Sequence, residues 1–168
     1  MRDFLTLDIE CARLREMTVW EATLLSQFSK EDMTKGMEYF LNVLPSLVVD
    51  GNVDFDVLNS KPMVALELYN SYTMWLFNPL TEEDIHKLSQ DCRGTFEGRS
   101  KHTISPYHDW ITNLFLPLLD GSNGILIREV FQGSRAEQPY RSDLILRIIA
   151  SIYGEWASRK RRESLRKK

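Results

Sequence analysis

The segment from Lys61 to Phe77 constrains the fold more than any other part of the sequence. Apolar side chains occupy nearly every angular position around it, and Pro62 and Pro79 bound it. It is shorter than the ~20 apolar residues that cross a bilayer. A helix that is apolar all round is buried at the centre of a domain or against a partner. The sequence therefore predicts a helical protein organised around residues 61–77.

Capping signals and prolines mark where the other predicted helices begin. Thr18 and Glu21 form the pattern Thr-x-x-Glu, in which each side chain satisfies a free backbone N–H of the first helical turn. Ser29 with Asp32 gives a second start signal, and Thr81 with Asp84 gives a third, for a helix that ends at Gly94. Amphipathic helices are also predicted at 33–44, at 106–118 and from Pro139 into the C-terminal residues.

Three segments carry less regular patterns. Residues 3–16 have apolar positions at helical spacing and are predicted to form a helix. Residues 47–55 fit either a small hairpin turning at Asp50-Gly51 or a helix that Gly51 stops, and the second interpretation is favoured. Residues 125–131 alternate like a lone strand, which needs a partner strand. Asp120 to Gly124 is predicted to be a turn.

The predicted fold class is mainly α, a compact multi-helix domain with at most one small β element, around 47–55, around 125–131, or in both places. Hydrophobic residues make up 43% of the chain and charged residues 27%, a globular balance. One helical domain is predicted over 1–158, with the polar loop 94–105 as a point of subdivision. No apolar run is long enough for a membrane span, and with only two cysteines a reducing cytoplasm is expected.

Charge is distributed unevenly along the chain. Residues 159–168 carry seven cations against the single acid Glu163, a net +6, which leaves −9 on the preceding residues of a chain whose net charge is −3. The basic residues of this tail are Arg159, Lys160, Arg161, Arg162, Arg166, Lys167 and Lys168. Three interpretations remain open: cations suited to a helix C-terminus, a phosphate-binding arm for nucleic acid, or a docking site for an acidic protein.

No catalytic, cofactor or metal site is predicted. The candidate metal ligands His86, His102, His108, Cys11 and Cys92 lack the one-turn spacing that brings two ligands to one ion. His108-Asp109 matches half of a helical metal-phosphohydrolase pattern, without the other ligands. Cys11 is expected on an apolar helix face, where thiols are inert. No nucleophile elbow, Walker-type or dinucleotide glycine motif is present.

Large apolar side chains instead predict a protein-binding surface. The stripes at 33–44, 63–77 and 107–118 hold more aromatic and Met residues than a small helical core hides. The interface candidates are Tyr72, Trp75, Phe77, Trp110 and Trp156. The expected partners are other protein subunits, in a hetero-complex or a homo-oligomer.

Residues 14–77 resemble the helical domain of tail assembly chaperones and baseplate-hub assembly proteins of long-tailed bacteriophages, including T-even-like phages. The resemblance lies in the lead-in Arg15-x-Met17-Thr18-x-x-Glu21, followed by two helices, Val53-Asp54-Phe55-Asp56 and an apolar helix. It implies a non-enzymatic role in a virion or its assembly in the host cytoplasm, with no cofactor. The alternative from another class is a small nucleic-acid-binding or regulatory protein that uses its basic arm. A third is a helical enzyme.

Overall fold

The structure is a computed structural model that describes residues 4–99, 105–116 and 135–168. Its fold is mainly α with a small three-stranded antiparallel sheet, which confirms the predicted class. The chain divides into two compact units. Unit 1 comprises Met1–Pro79 with Gly133–Asp143, and unit 2 comprises Leu80–Gln132 with Leu144–Lys168. The division falls after Pro79, whereas the sequence placed the point of subdivision in the 94–105 loop.

Unit 1 combines the sheet with most of the helices. Its elements are β1 (Thr6–Asp8), β2 (Ala12–Arg15), α1 (Val19–Glu31), α2 (Met33–Leu47), β3 (Val48–Gly51), α3 (Phe55–Ser60), α4 (Pro62–Phe77) and a 3-10 turn at Arg135–Glu137. The first turn of the long helix α6 (Tyr140–Arg166) belongs to this unit as well. Pro62 occupies the start of α4, where its missing N–H costs nothing.

The predicted helix over residues 3–16 is wrong, because these residues form strands β1 and β2. Leu7 pairs with Leu14, and β2 pairs in turn with β3, so backbone partners more than thirty residues away stabilise an extended conformation. The two-residue alternation of buried Ala12 and Leu14 with exposed Arg13 was the signal of a strand. The favoured helix over 47–55 is also wrong, since Val48–Gly51 is β3.

The capping predictions are confirmed except at Ser29, which lies within α1 and does not cap α2. Thr18 accepts from Glu21 N and Glu21 accepts from Thr18 N, so the two form the capping box at the start of α1. Asp32 caps α2 by accepting from Thr34 N. Thr81 and Asp84 form a second capping box at the start of α5 (Glu82–Phe96). That helix runs two residues beyond the predicted end at Gly94.

Aromatic contacts fill the core of unit 1. Phe40 and Tyr72 are fully buried, with ring centroids 5.2 Å apart, and Tyr69 lies edge-on to Phe40. The Tyr72 hydroxyl donates to Arg15 O at 2.8 Å, which satisfies the one polar atom of that ring. Residue 72 therefore ties the apolar helix α4 to strand β2.

Unit 2 contains α5, a π-helical segment at Trp110–Phe115 and the rest of α6. Leu116 N donates to Ile111 O, five residues back, where a regular α-helix was predicted. Phe96, Phe115, Tyr153 and Trp156 form an aromatic cluster in this unit. The predicted turn at 120–124, the strand at 125–131 and the end of the 106–118 helix lie outside the described residues.

Candidate functional site

An apolar groove on unit 1 is the main candidate for a binding site. It has a volume of about 330 Å³ and is formed by the β1–β2 turn, the residues around the start of α3 and the first three turns of α4. Its lining residues are Ile9, Glu10, Cys11, Val53, Asp54, Val57, Leu58, Val64, Glu67, Leu68 and Ser71. The α4 members recur at intervals of three and four residues, which places them on one face of that helix.

Backbone geometry around Gly51 joins the β1–β2 turn to the segment that leads into α3. Gly51 adopts a φ of +77°, and Asn52 N donates to Cys11 O at 3.1 Å. A Cβ atom at Gly51 would lie 2.3 Å from that same carbonyl oxygen. The sequence therefore needs glycine here for both conformation and space. Asp54 then caps α3 by accepting from Val57 N at 3.1 Å. The helix that begins there contributes Val57 and Leu58 to the groove.

Three exposed carboxylates, Glu10, Asp54 and Glu67, lie around the apolar floor. Among the described residues, none of the three has a basic side chain within salt-bridge distance. Such an arrangement suits an apolar side chain flanked by cations, because burial of the apolar group supplies affinity and the carboxylates orient the charged neighbours.

Cys11 departs from its predicted environment. The sequence placed it on an apolar helix face, but it is exposed in the β1–β2 turn at the edge of the groove. The other cysteine, Cys92, is buried in unit 2, and burial raises the pKa of its thiol to about 12. Cys92 is therefore protonated at neutral pH and unreactive.

The interface candidates in unit 1 differ in accessibility. Tyr72 is fully buried, so it is corrected from an interface candidate to a core residue. Trp75 is partly buried, with the Arg141 guanidinium 4.6 Å above its ring centroid. Phe77 is partly buried and lies edge-on to Tyr140 at 5.5 Å. Each of these rings has part of its surface committed to packing within the unit.

The unit 2 candidates are also partly buried. Trp110 lies edge-on to Tyr107, and Trp156 packs against Phe96 while its indole N–H donates to Glu97 at 3.4 Å. The large apolar side chains that are mostly exposed in unit 1 are instead Trp20, Met33, Val49, Met63 and Met74. Met33, Met63 and Met74 belong to the stripes that the sequence predicted as a binding surface, but helical spacing did not show that they are more exposed than the aromatic candidates.

The basic tail is helical as far as Arg166, and residues 158–168 are all exposed. Lys160 contacts Glu97 at 3.5 Å and Glu163 at 3.8 Å. Leu165 is the one apolar residue of segment 159–168, and it is 66% exposed. An exposed leucine surrounded by cations is available for contact with another molecule.

A histidine–aspartate pair in unit 2 has a structural role. Asp91 is fully buried, with its Oδ1 2.7 Å from His108 Nδ1 and its Oδ2 accepting from Ser105 N at 3.2 Å. Asp91 therefore fastens the chain around Ser105 to α5, and this structural role accounts for the contacts. His108 pairs with Asp91, not with the adjacent Asp109, which is exposed. The sequence signal was a carboxylate beside Leu88 and Cys92 on the buried face of α5.

Within the described residues, no cluster of three or more His, Cys, Asp or Glu side chains is arranged to hold a metal ion. His86 is exposed beside Gln90, and His102 lies outside the described part. A search of the described helices found none with the length and apolar character for a membrane span. Comparison of the chain with family models, curated proteins and solved structures gave no match.

Proposed function

We propose that this protein is a non-enzymatic structural or assembly-chaperone component of a large protein complex, and that it binds another subunit through the groove on unit 1. The observation that carries the proposal is the groove itself: an apolar floor with its polar groups confined to an exposed rim. Protein interfaces have this anatomy, with an apolar centre and a solvated polar edge.

The placement of polar groups argues against a small-molecule site at this position. Pockets for small ligands contain a few polar groups placed to orient the ligand within an apolar cavity. Here the rim carboxylates and Ser71 are all exposed, so they are hydrated in the free protein. The floor offers only aliphatic side chains, which select for shape and apolarity.

Exposed methionines add to the apolar surface of unit 1 that can bind a partner. Met33, Met63 and Met74 are each more than half exposed. Flexible, polarisable methionine side chains adapt to irregular partner surfaces and recur at binding faces. A protein that holds other subunits during assembly benefits from such a surface.

For the identity of the complex, we propose a bacteriophage tail or baseplate hub, with the host cytoplasm as the place of assembly and the virion as the destination of a structural component. The support is the resemblance of residues 14–77 to tail and hub assembly proteins. In its lead-in motif, Thr18 and Glu21 cap α1, and the Arg15 guanidinium lies 3.2 Å from the Glu21 carboxylate.

Affinity purification of the tagged protein from its native host, followed by mass spectrometry, tests this function. Val64→Lys places a cation in the groove wall, whereas Met63→Lys adds the same charge to the neighbouring position outside the groove. Both residues are exposed, so neither change disrupts the core. We expect stoichiometric co-purifying subunits with the wild type and Met63→Lys but not with Val64→Lys. Equal recovery with both variants would contradict a role for the groove.

A second candidate function is nucleic-acid binding through the basic tail. The observation in its favour is that seven cations on and just beyond one helix end are all exposed. The net −9 of the preceding residues opposes it, because an acidic body repels a polyanion from any broad contact.

A further inference from the structure

We propose that the occupant of the groove is the basic helix end of a second copy of this chain, so that copies associate head to tail. The proposal rests on the proposed function, because it names the subunit that the groove binds. It follows from two surfaces of the same chain that complement each other in apolar character and in charge.

The apolar match joins Leu165 to the groove floor. Leu165 projects 66% of its surface into solvent from the last turn of α6. The groove offers a complementary aliphatic lining, formed by side chains such as Val57, Val64 and Leu68. A volume of about 330 Å³ accommodates a leucine side chain together with the aliphatic stems of flanking arginines.

Complementary charges lie on both sides of this apolar contact: basic residues beside Leu165 and carboxylates at the groove rim. Arg161 and Arg162 precede Leu165 by four and three residues, so they share its helix face, and Lys168 follows by three. The groove rim provides three exposed carboxylates, from Glu10, Asp54 and Glu67. Ion pairs at a solvated rim add little affinity, but they accelerate encounter and fix the orientation of the helix.

The two surfaces differ, so the contact is heterologous: each copy contributes one groove and one helix end. Heterologous contacts produce a closed ring when the rotation between copies closes, and an open filament when it does not.

Mixing two variants distinguishes this arrangement from every other. Val64→Lys damages the groove and leaves the helix end intact, and Leu165→Glu does the reverse. Each alone should lose self-association by at least about tenfold, the loss expected for one buried leucine. A 1:1 mixture should form a species of twice the 19.6 kDa chain mass, since one intact groove and one intact helix end remain. Sedimentation velocity measures the masses, and circular dichroism verifies folding.

The matched controls are Met63→Lys for the groove and Ser164→Glu for the helix end, each with the same charge change at a neighbouring exposed position. Both should associate like the wild type. Carbodiimide cross-linking in a mixture of 14N and 15N protein adds an independent readout. We expect links between Lys167 or Lys168 and Glu10 or Glu67 that join differently labelled copies.

A wild type that stays monomeric, a mixture that stays monomeric, or cross-links confined to one copy would each overturn the proposal. If Val64→Lys still loses its co-purifying subunits from the host while the mixture stays monomeric, the proposed function stands and its partner is a different protein. If the wild type stays monomeric and Leu165→Glu weakens binding to duplex DNA, the helix end serves nucleic acid instead.

Discussion

Replacing Gly51 by alanine should destabilise unit 1 strongly. Gly51 has a φ of +77°, and the left-handed conformation costs an L-residue about 1–2 kcal/mol. The new Cβ would also lie 2.3 Å from Cys11 O and 2.8 Å from Ala12 Cα. Both are backbone atoms, so strand β2 has to move, at about 1–3 kcal/mol. The expected loss in the free energy of unfolding is about 3 kcal/mol.

Gly98 provides the matched control. It has a φ of +68°, but among the described residues no atom beyond its two chain neighbours lies within 4 Å of the position that its Cβ would take. Gly98→Ala should therefore cost only the conformational term, about 1 kcal/mol. Hydrogen exchange with mass spectrometry measures the opening free energy of each unit through its own amides. Equal losses for Gly51→Ala and Gly98→Ala would show that β3 is not held against the Cys11 carbonyl, and would refute the derived groove geometry.

Three further outcomes are expected. Thr18→Ala should lower the free energy of unfolding by about 1 kcal/mol, because the Glu21 N–H loses its acceptor. Denaturant titration measures this loss, and an unchanged midpoint would contradict the cap. Burial raises the pKa of Glu16 from its ordinary value near 4.5, more than the hydrogen bonds from Leu5 and Ser142 lower it. The contribution of the Glu16 carboxyl group to the free energy of unfolding is therefore complete below that value and is lost as pH rises through the folded-state pKa. The difference in unfolding free energy between wild type and Glu16→Gln, measured by denaturant titration, should shrink from pH 4 upward. A difference that does not change with pH would refute the raised pKa. Deleting residues 159–168 should leave weak binding to random duplex DNA unchanged, whereas a lost affinity with a log–log salt slope of about 0.9 per phosphate would establish the nucleic-acid function.

Local signals predicted the helices well because a capping box is complete within four residues. Thr18 with Glu21, and Thr81 with Asp84, mark helix starts in the sequence and form the same bonds in the structure. Residues 6–15 were predicted wrongly because Leu7 and Leu14 fit a helical period by coincidence. The alternation over Ala12–Leu14 was the local signal of a strand, but the strand that stabilises it, β3, lies more than thirty residues away.

The candidate site could not be predicted from the sequence, because it too depends on contacts between distant segments. Val64 and Leu76 are both apolar residues of α4, a helix that is apolar nearly all round. Val64 is nevertheless 40% exposed, whereas Leu76 is fully buried. The difference arises from which elements pack over each position. The groove also draws on residues from Ile9 to Ser71, so its composition appears only after the segments have assembled.

The tie between Glu16 and Ser142 has a consequence for the order in which the protein matures. Glu16 accepts from Leu5 N at 2.8 Å, and from Ser142 N and Oγ at 2.9 and 2.8 Å, across a separation of 126 residues. During synthesis unit 1 therefore remains incomplete until residue 142 has emerged from the ribosome. A shorter nascent chain lacks the Ser142 donors, so the Glu16 carboxyl group cannot be buried there with its hydrogen bonds satisfied. Because the groove belongs to unit 1, a stable binding surface forms only after residue 142 has been made, which protects the growing chain from premature association.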